Sequence, residues 1–240
     1  MSRPSKGRGG RPAKGGGRWV TVPPERVERW IAGFAARHAA AEPQAEPSPE
    51  PQRRVRASAR EWGVLLEAPD GAVAECHAPF PPFVPEPGAD PVAALVEHVS
   101  RERRVGVLLV RLGGYAAGFF VGDVLVDSKV GARLVQGRTA AGGWSQQRFA
   151  RRREEQAAKA HAAAADAAAR VLLPRLPETE AVVLGGDRRA VDALRADRRL
   201  APLFERAVEP FLTVPDPRKA VLVATPADFR ALRVRVLDPG

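Results

Sequence analysis

Twenty-nine consecutive residues, Ser145 to Leu173, pass without a glycine or a proline, and Pro174 closes the run. A stretch that lacks both helix breakers and is rich in alanine predicts one long helix. At 1.5 Å per residue it would span about 43 Å, longer than a small domain is wide. Such a rod needs either a bundle of equal partners or a sheet to lie on. The flanking sequence supplies a sheet. Ahead of it RVGVLLVRL, GYAAGFFVG and DVLVDSKVG read as three strands in quick succession, with Gly113-Gly114 and Gly122-Asp123 as tight turns. Behind it EAVVLGG reads as a buried strand, DRRAVDALRAD as a helix, VEPFLTV as a strand, residues 218–223 as a helical turn and LRVRVLD as a last strand. Strands on both sides of helices argue for an α/β layer domain over residues 55–240.

The first part of that domain also alternates. EWGVLLEAPDGAVAECHAP predicts two strands joined at Pro69-Asp70-Gly71. A helix follows from Pro91 to about Arg103, with Val92, Leu95, Val96 and Val99 turned inward. Upstream of the domain the chain falls into three pieces. Residues 1–18 are Gly, Arg, Lys and Pro with no apolar face, and predict a disordered basic arm. Residues 19–38 carry Val27, Trp30, Ile31 and Phe34 at helical spacing and predict an amphipathic helix. Residues 39–54 predict an extended Pro/Glu-rich linker.

Charge narrows the partner. Lys and Arg outnumber Asp and Glu 38 to 28, for a net charge of +10. The surplus is concentrated in two places. Residues 1–18 hold six basic residues and no acid, and residues 129–170 hold nine basic residues against three acids. A basic protein of this kind usually meets nucleic acid or, less often, an anionic membrane. The start MSRPSKGRGGRP has no apolar run behind it, so no secretory signal is expected. Arg111 and Asp123 interrupt the most apolar stretch, Val105 to Val126, so it is not expected to be a membrane span. A cytoplasmic location follows as the expectation. The single cysteine, Cys76, excludes a disulfide framework and reads as a core residue on a strand. His38, His77, His98 and His161 lack metal-ligand spacing, and no metal or cofactor is expected. The loop of residues 131–144 lacks the phosphate-binding G-x-x-x-x-G-K-[ST] pattern.

The informative segment is DSKVGARLVQGRTAAGGWSQQRFARRREEQ. Gly137, Gly142 and Gly143 punctuate a loop of small residues, and Ser145, a good N-cap type, opens the helix. Arg148, Arg151, Arg152 and Arg153 crowd its first turns, and Phe149 is expected to face the core. A glycine tip ahead of a cationic rod suits a narrow polyanionic cleft, where phosphates would meet the rod. The alanine-rich stretch AAKAHAAAADAAAR reads as helix propensity and nothing more.

The run GGWSQQRFARRR is similar to the GGQ loop and following helix of eukaryotic and archaeal class-I release factors. The longer pattern GYAAGFF…SKVG…VQGRTAAGGWSQQRFARRR resembles the VLRF family more closely. These are actinobacterial and chloroflexi relatives of the eukaryotic ribosome-quality-control peptidyl-tRNA hydrolase. The resemblance covers about residues 60–240. It implies a mixed β-sheet with flanking helices, like the middle domain of those release factors, related to ribonuclease H. It implies partnership with the ribosome, at its peptidyl transferase centre and ribosomal RNA, and with peptidyl-tRNA. The activity implied is removal of nascent chains from obstructed ribosomes, either at the peptidyl ester or by cutting the tRNA near its CCA end. The family's G-x-x-Q pattern falls on Gly143, Trp144, Ser145 and Gln146, with Gln147 the competing glutamine. Trp144 stands where the GGQ factors carry their glutamine, which also leaves open a non-catalytic ribosome-binding role. Gly142, Gly143 and Gln146 are the catalytic candidates. Trp144, Ser145, Gln147, Arg138, Arg148, Arg151, Arg152 and Arg153 are the candidates for RNA contact. The 54 residues before the core are too few and too proline-rich for a codon-reading domain, so release is expected to be independent of a stop codon.

Overall fold

The computed structural model describes residues 11–13, 15–39, 54–111, 113–132 and 145–239, with the backbone alone for Arg11 and residues 145–153. The chain divides into two compact units. One joins residues 1–101 to residues 230–240, and the other holds residues 102–229.

The first unit contains β1 (Arg11–Pro12), β2 (Arg18–Val22), α1 (Val27–Arg37), β3 (Arg56–Arg60), β4 (Gly63–Glu67), β5 (Val73–His77) and α2 (Pro91–Ser100). The second contains β6 (Arg104–Arg111), β7 (Gly114–Val121), β8 (Val124–Ala132), α3 (Ser145–Leu172), β9 (Ala181–Gly186), α4 (Arg188–Ala193), α5 (Ala201–Glu205), β10 (Ala207–Leu212), α6 (Lys219–Ala224) and α7 (Pro226–Phe229). The chain then returns to the first unit as β11 (Leu232–Leu237).

In the first unit six antiparallel strands lie in the order β1-β2-β11-β5-β4-β3. Alternation decides which face is covered. Val64, Leu66, Ala74, Cys76, Leu232, Val234 and Val236 are buried with Ile31 and Phe34 of α1 and Leu95 and Val99 of α2. The intervening residues turn to the other face, on which neither α1 nor α2 packs. Asp90 caps α2 by accepting from the Ala93 N–H at 2.7 Å, and Pro91 occupies the first turn, where no N–H is missed.

Three expectations for this region need correction. Residues 55–240 do not form one domain, because the last strand leaves the second unit and pairs between β2 and β5. The pattern Leu-Arg-Val-Arg-Val explains why: it alternates, as a half-covered antiparallel strand does. The helix expected from Trp19 starts later, since Trp-Val-Thr-Val is a β-branched and aromatic run that pairs with β11 as β2. Part of the expected disordered arm is also in the sheet. Arg11 and Pro12 pair with Trp19 and Arg18, and Gly17, at φ +77°, sits where a Cβ would lie 2.4 Å from the Val236 carbonyl oxygen. Residues 1–10 and nearly all of the expected linker lie outside the described residues.

The second unit is a mixed sheet with flanking helices, in the order β10-β9-β6-β7-β8. β6, β7 and β8 form an antiparallel meander, and β9 and β10 add in parallel beside β6. β6 is buried from Val105 to Val110 because both faces are covered. Leu108, Val110, Ala117, Phe119, Val182 and Leu184 meet α3 and α4 on one face. On the other, Phe120 packs edge-on against Phe229 with centroids 5.7 Å apart.

Candidate functional site

In sequence the glycine loop joins β8 to α3, so these two elements and β7, which both of them contact, hold its two ends. α3 runs unbroken for 28 residues, about 42 Å at 1.5 Å per residue. Its anchoring is uneven. Ala164, Ala165, Ala167, Ala168, Val171 and Leu172 are buried against the sheet, whereas no side chain from Glu154 to Ala163 is fully buried. The alanines are therefore more than helix formers, which corrects the sequence reading. Their small side chains let the helix backbone lie close to β6 and β7 at i, i+3, i+4 spacing. The stretch from Ser145 to Ala163 extends about 28 Å ahead of that anchor.

The root of the loop is built by a tyrosine over a glycine. Tyr115 of β7 stands directly across from Gly131 of β8. A Cβ on Gly131 would lie 2.3 Å from the Tyr115 Oη and 2.4 Å from its Cζ, so only glycine admits the ring. Ala157, Ala160 and His161 of α3 line a crevice of about 10 Å³ together with Tyr115, Gly114 and Arg111. That volume holds no small-molecule substrate. On the far face of the sheet a Cβ on Gly118 would come within 2.9 Å of Leu125 and Leu222, so close packing also demands this glycine. Arg111 donates to the Val214 carbonyl at 2.8 Å and tethers the end of β6 to the segment after β10.

Of the residues singled out from the sequence, Arg138, Gly142, Gly143 and Trp144 lie outside the described residues. Ser145, Gln146 and Gln147 form the first turn of α3, and Arg148, Arg151, Arg152 and Arg153 follow within the next two turns. Positions 148, 151 and 152 share one stripe of the helix by their i, i+3, i+4 spacing. The side chains of 145–153, including Phe149, are outside what is described. Sequence reasoning missed Tyr115 and Gly131. Their signal was present in GYAAGFF and SKVG, but only the strand register shows that one covers the other.

The remaining titratable groups play structural parts. Cys76 is fully buried, and burial pushes its thiol up to about 12, far from a reactive thiolate. His38 Nδ1 lies 2.8 Å from Asp70 Oδ2, and His98 Nε2 lies 2.8 Å from the Pro79 carbonyl oxygen. The Ala72 backbone N–H and His38 together hold the Asp70 carboxyl below its ordinary range. Among the described residues no three His, Cys, Asp or Glu side chains gather as a metal-ligating group. No described helix is long and apolar enough to cross a membrane.

Residues 103–235 match the family described as the actinobacteria/chloroflexi VLRF1 release factor, over more than half of the chain. The chain belongs to the VLRF1 release-factor family. The match takes in the Tyr115–Gly131 root, the loop and α3, together with most of β11. No curated protein matches the chain. Among solved structures, the archaeal translation termination factor aRF1 is similar at 16% identity with a TM-score of 0.38, covering 68% of this chain and 49% of that one. A structure titled only as an archaeal protein is similar at 16% identity with a TM-score of 0.35, covering 69% and 52%. The VLRF1 chain thus spans about half the length of the solved structures it matches.

Proposed function

We propose that this release-factor-family chain is a peptidyl-tRNA hydrolase that frees nascent chains from stalled ribosomes without reading a stop codon. The observation that carries the reading is the sequence GGWSQQRFARRR at the start of a 28-residue helix whose fully buried side chains, among the described residues, all lie from Ala164 onward. Such a rod delivers its tip into a cleft that the body of the protein does not enter. The substrate then lies outside the protein, in keeping with the minute crevice at the loop root. A cytoplasmic location at the ribosome belongs to the same proposal. The strand order, an antiparallel meander extended in parallel on its first strand, supports a ribonuclease-H-like reading of this unit.

The chemistry assigned to the tip follows from what each side chain offers. A glutamine amide neither gives nor takes a proton near neutral pH, so Gln146 acts by orientation. It would hold the attacking water, or the terminal ribose hydroxyl, while water adds to the ester carbonyl. The ribose oxygen leaves with a proton, giving a free peptide and a deacylated tRNA. Gly142 and Gly143 would allow the backbone close to the CCA end, and Trp144 would stack on a base. Arg148, Arg151 and Arg152 would track phosphates along the helix stripe, joined by Arg138 and Arg153. Ser145 and Gln147 would complete the polar lining of the tip.

The test is to incubate the protein with ribosomes carrying labelled peptidyl-tRNA and to resolve both the peptide and the tRNA 3′ end. Free peptide with an intact CCA end on both stop-containing and stop-less complexes is the expected result. A shortened tRNA would assign nuclease action instead. Binding without release would assign an occupancy factor, the role to which Trp144 at the GGQ glutamine position points. Gln146→Ala is expected to abolish release and to keep ribosome binding. Undiminished release from that variant would transfer the role to Gln147.

A further inference from the structure

The six-stranded sheet of the first unit presents a face on which, among the described residues, no helix of that unit packs, and its side chains are unusual for a solvated surface. Register places Trp19 of β2 opposite Arg235, Arg233 of β11 opposite His77, and Glu75 of β5 opposite Arg235. The imidazole of His77 stands between two indoles. Its centroid is 4.5 Å from that of Trp62, nearly parallel at 24°, and 5.2 Å from that of Trp19. The Arg233 guanidinium lies over the Trp19 ring at 4.8 Å. A row of four flat groups, Trp62, His77, Trp19 and Arg233, therefore crosses the sheet from the β3–β4 turn to β2. None of the four is fully buried.

Charge along this row is positive. Arg235 is committed to the fold, donating to the Gly15 carbonyl at 2.8 Å and pairing with Glu75 at 3.4 Å. Arg60 and Arg233 are exposed, and so is Arg56, which stands opposite the exposed Glu67, so arginines still outnumber acids on the strands of this face. At the β2 edge the sheet ends in β1, and the ten residues that precede β1 in the sequence hold Arg3, Lys6 and Arg8 and no acid. Residues 1–102, which supply all of this surface except β11, lie outside the family match.

We propose that this helix-free face, with Trp19, Trp62, His77 and Arg233 at its centre, binds single-stranded RNA. Flat rings and guanidinium planes on a sheet offer π-surfaces to unstacked bases, while arginines flanking them meet phosphates. A duplex hides its bases and would use only the arginines. An acidic peptide would use the charge and leave the indoles idle. Burial holds the His77 imidazole below its ordinary value, which favours a neutral stacking ring near neutral pH.

The measurement is fluorescence anisotropy of the full chain with a labelled short oligouridine, the matching oligoadenosine and an RNA duplex, across a range of potassium chloride concentrations. Trp62→Ala should weaken single-strand binding about tenfold, as expected for the loss of one stacked base. Arg60→Gln with Arg233→Gln should lower the slope of log affinity against log salt by about 0.7 per lost phosphate contact. The surface shares no residue with the loop or α3, so this result is independent of whether the loop hydrolyses peptidyl-tRNA. The arginine pair is exposed and decides the matter should Trp62→Ala not fold. Wild-type affinity and slope in the arginine variant would overturn the proposal. So would equal binding of duplex and single strand, or displacement of the RNA by a poly-glutamate peptide with the indoles unaffected.

Discussion

Placing a methyl group on Gly131 tests the loop root directly. The new carbon of Gly131→Ala would sit 2.3 Å from the Tyr115 Oη, 2.4 Å from Cζ and 2.9 Å from Cε1, where contact needs well over 3 Å. The ring must swing off β8 and disturb the crevice that it lines with Ala157 and Ala160 of α3. Overpacking of this kind costs about 1–3 kcal/mol. Gly131 itself is not at positive φ, so alanine is acceptable to the backbone and removes unfolded-state freedom worth about 0.4–1 kcal/mol. The cost therefore comes from the tyrosine alone. A double-mutant cycle read by urea unfolding isolates it. Gly131→Ala in the parent should lower stability, and in a Tyr115→Ala background should be neutral or stabilising, a coupling of about 1–3 kcal/mol. Additivity within about 0.5 kcal/mol would refute the contact. Peptide release should track the cycle, falling in the single variant, because the displaced ring moves the point from which the loop departs.

Ala168→Leu should destabilise by about 1–3 kcal/mol, because Ala168 is fully buried where α3 meets the sheet. Ala162→Leu, on the exposed side of the same helix, should change stability by less than about 0.5 kcal/mol in the same urea titration. His77 carries a depressed value in the folded chain, mainly through burial, reinforced by Arg233 and Arg235 and opposed by Glu75. The unfolded chain then takes up the proton first as pH falls below the ordinary 6.5, so stability drops in that window. His77→Gln should flatten this part of the pH profile of the urea midpoint, and an unchanged profile would refute the assignment. Cys76 should resist a thiol reagent in the native state and react at once in denaturant. Rapid native labelling would contradict its burial.

What the sequence made legible depended on how local the signal was. The β4–β5 hairpin, α2 and the long helix were readable because alternation, the Asp90-Pro91 start and the Pro174 stop each lie within a few residues. β2 was misread because four β-branched and aromatic residues stand only four residues ahead of a genuine helix at Val27. β11 was recognised as a strand but assigned to the wrong sheet. Its alternation says that one face is covered, yet nothing local says that its neighbours begin at Arg18 and Val73. The alanines were ambiguous for a different reason, since high helix propensity and close helix–sheet packing select the same residue. At the site, the motif was legible as a motif, whereas the Tyr115–Gly131 contact required the register of two strands.

The two basic segments of the chain gain distinct meanings from these placements. In sequence the surplus within 129–170 gathers on the first turns of a helix whose fully buried side chains, among the described residues, begin only at Ala164. The surplus within 1–18 leads into the edge strand of a sheet whose open face carries aromatic rings and further arginines. In both places an indole stands next to the basic run, Trp144 in the loop and Trp19 in β2. Charge alone gives affinity that salt removes, and a flat ring adds a contribution that salt leaves largely intact. If each segment meets RNA in this way, the two should be separable by salt. Arginine substitutions in either segment should shift the slope, whereas tryptophan substitutions should shift affinity at every salt concentration by the same factor.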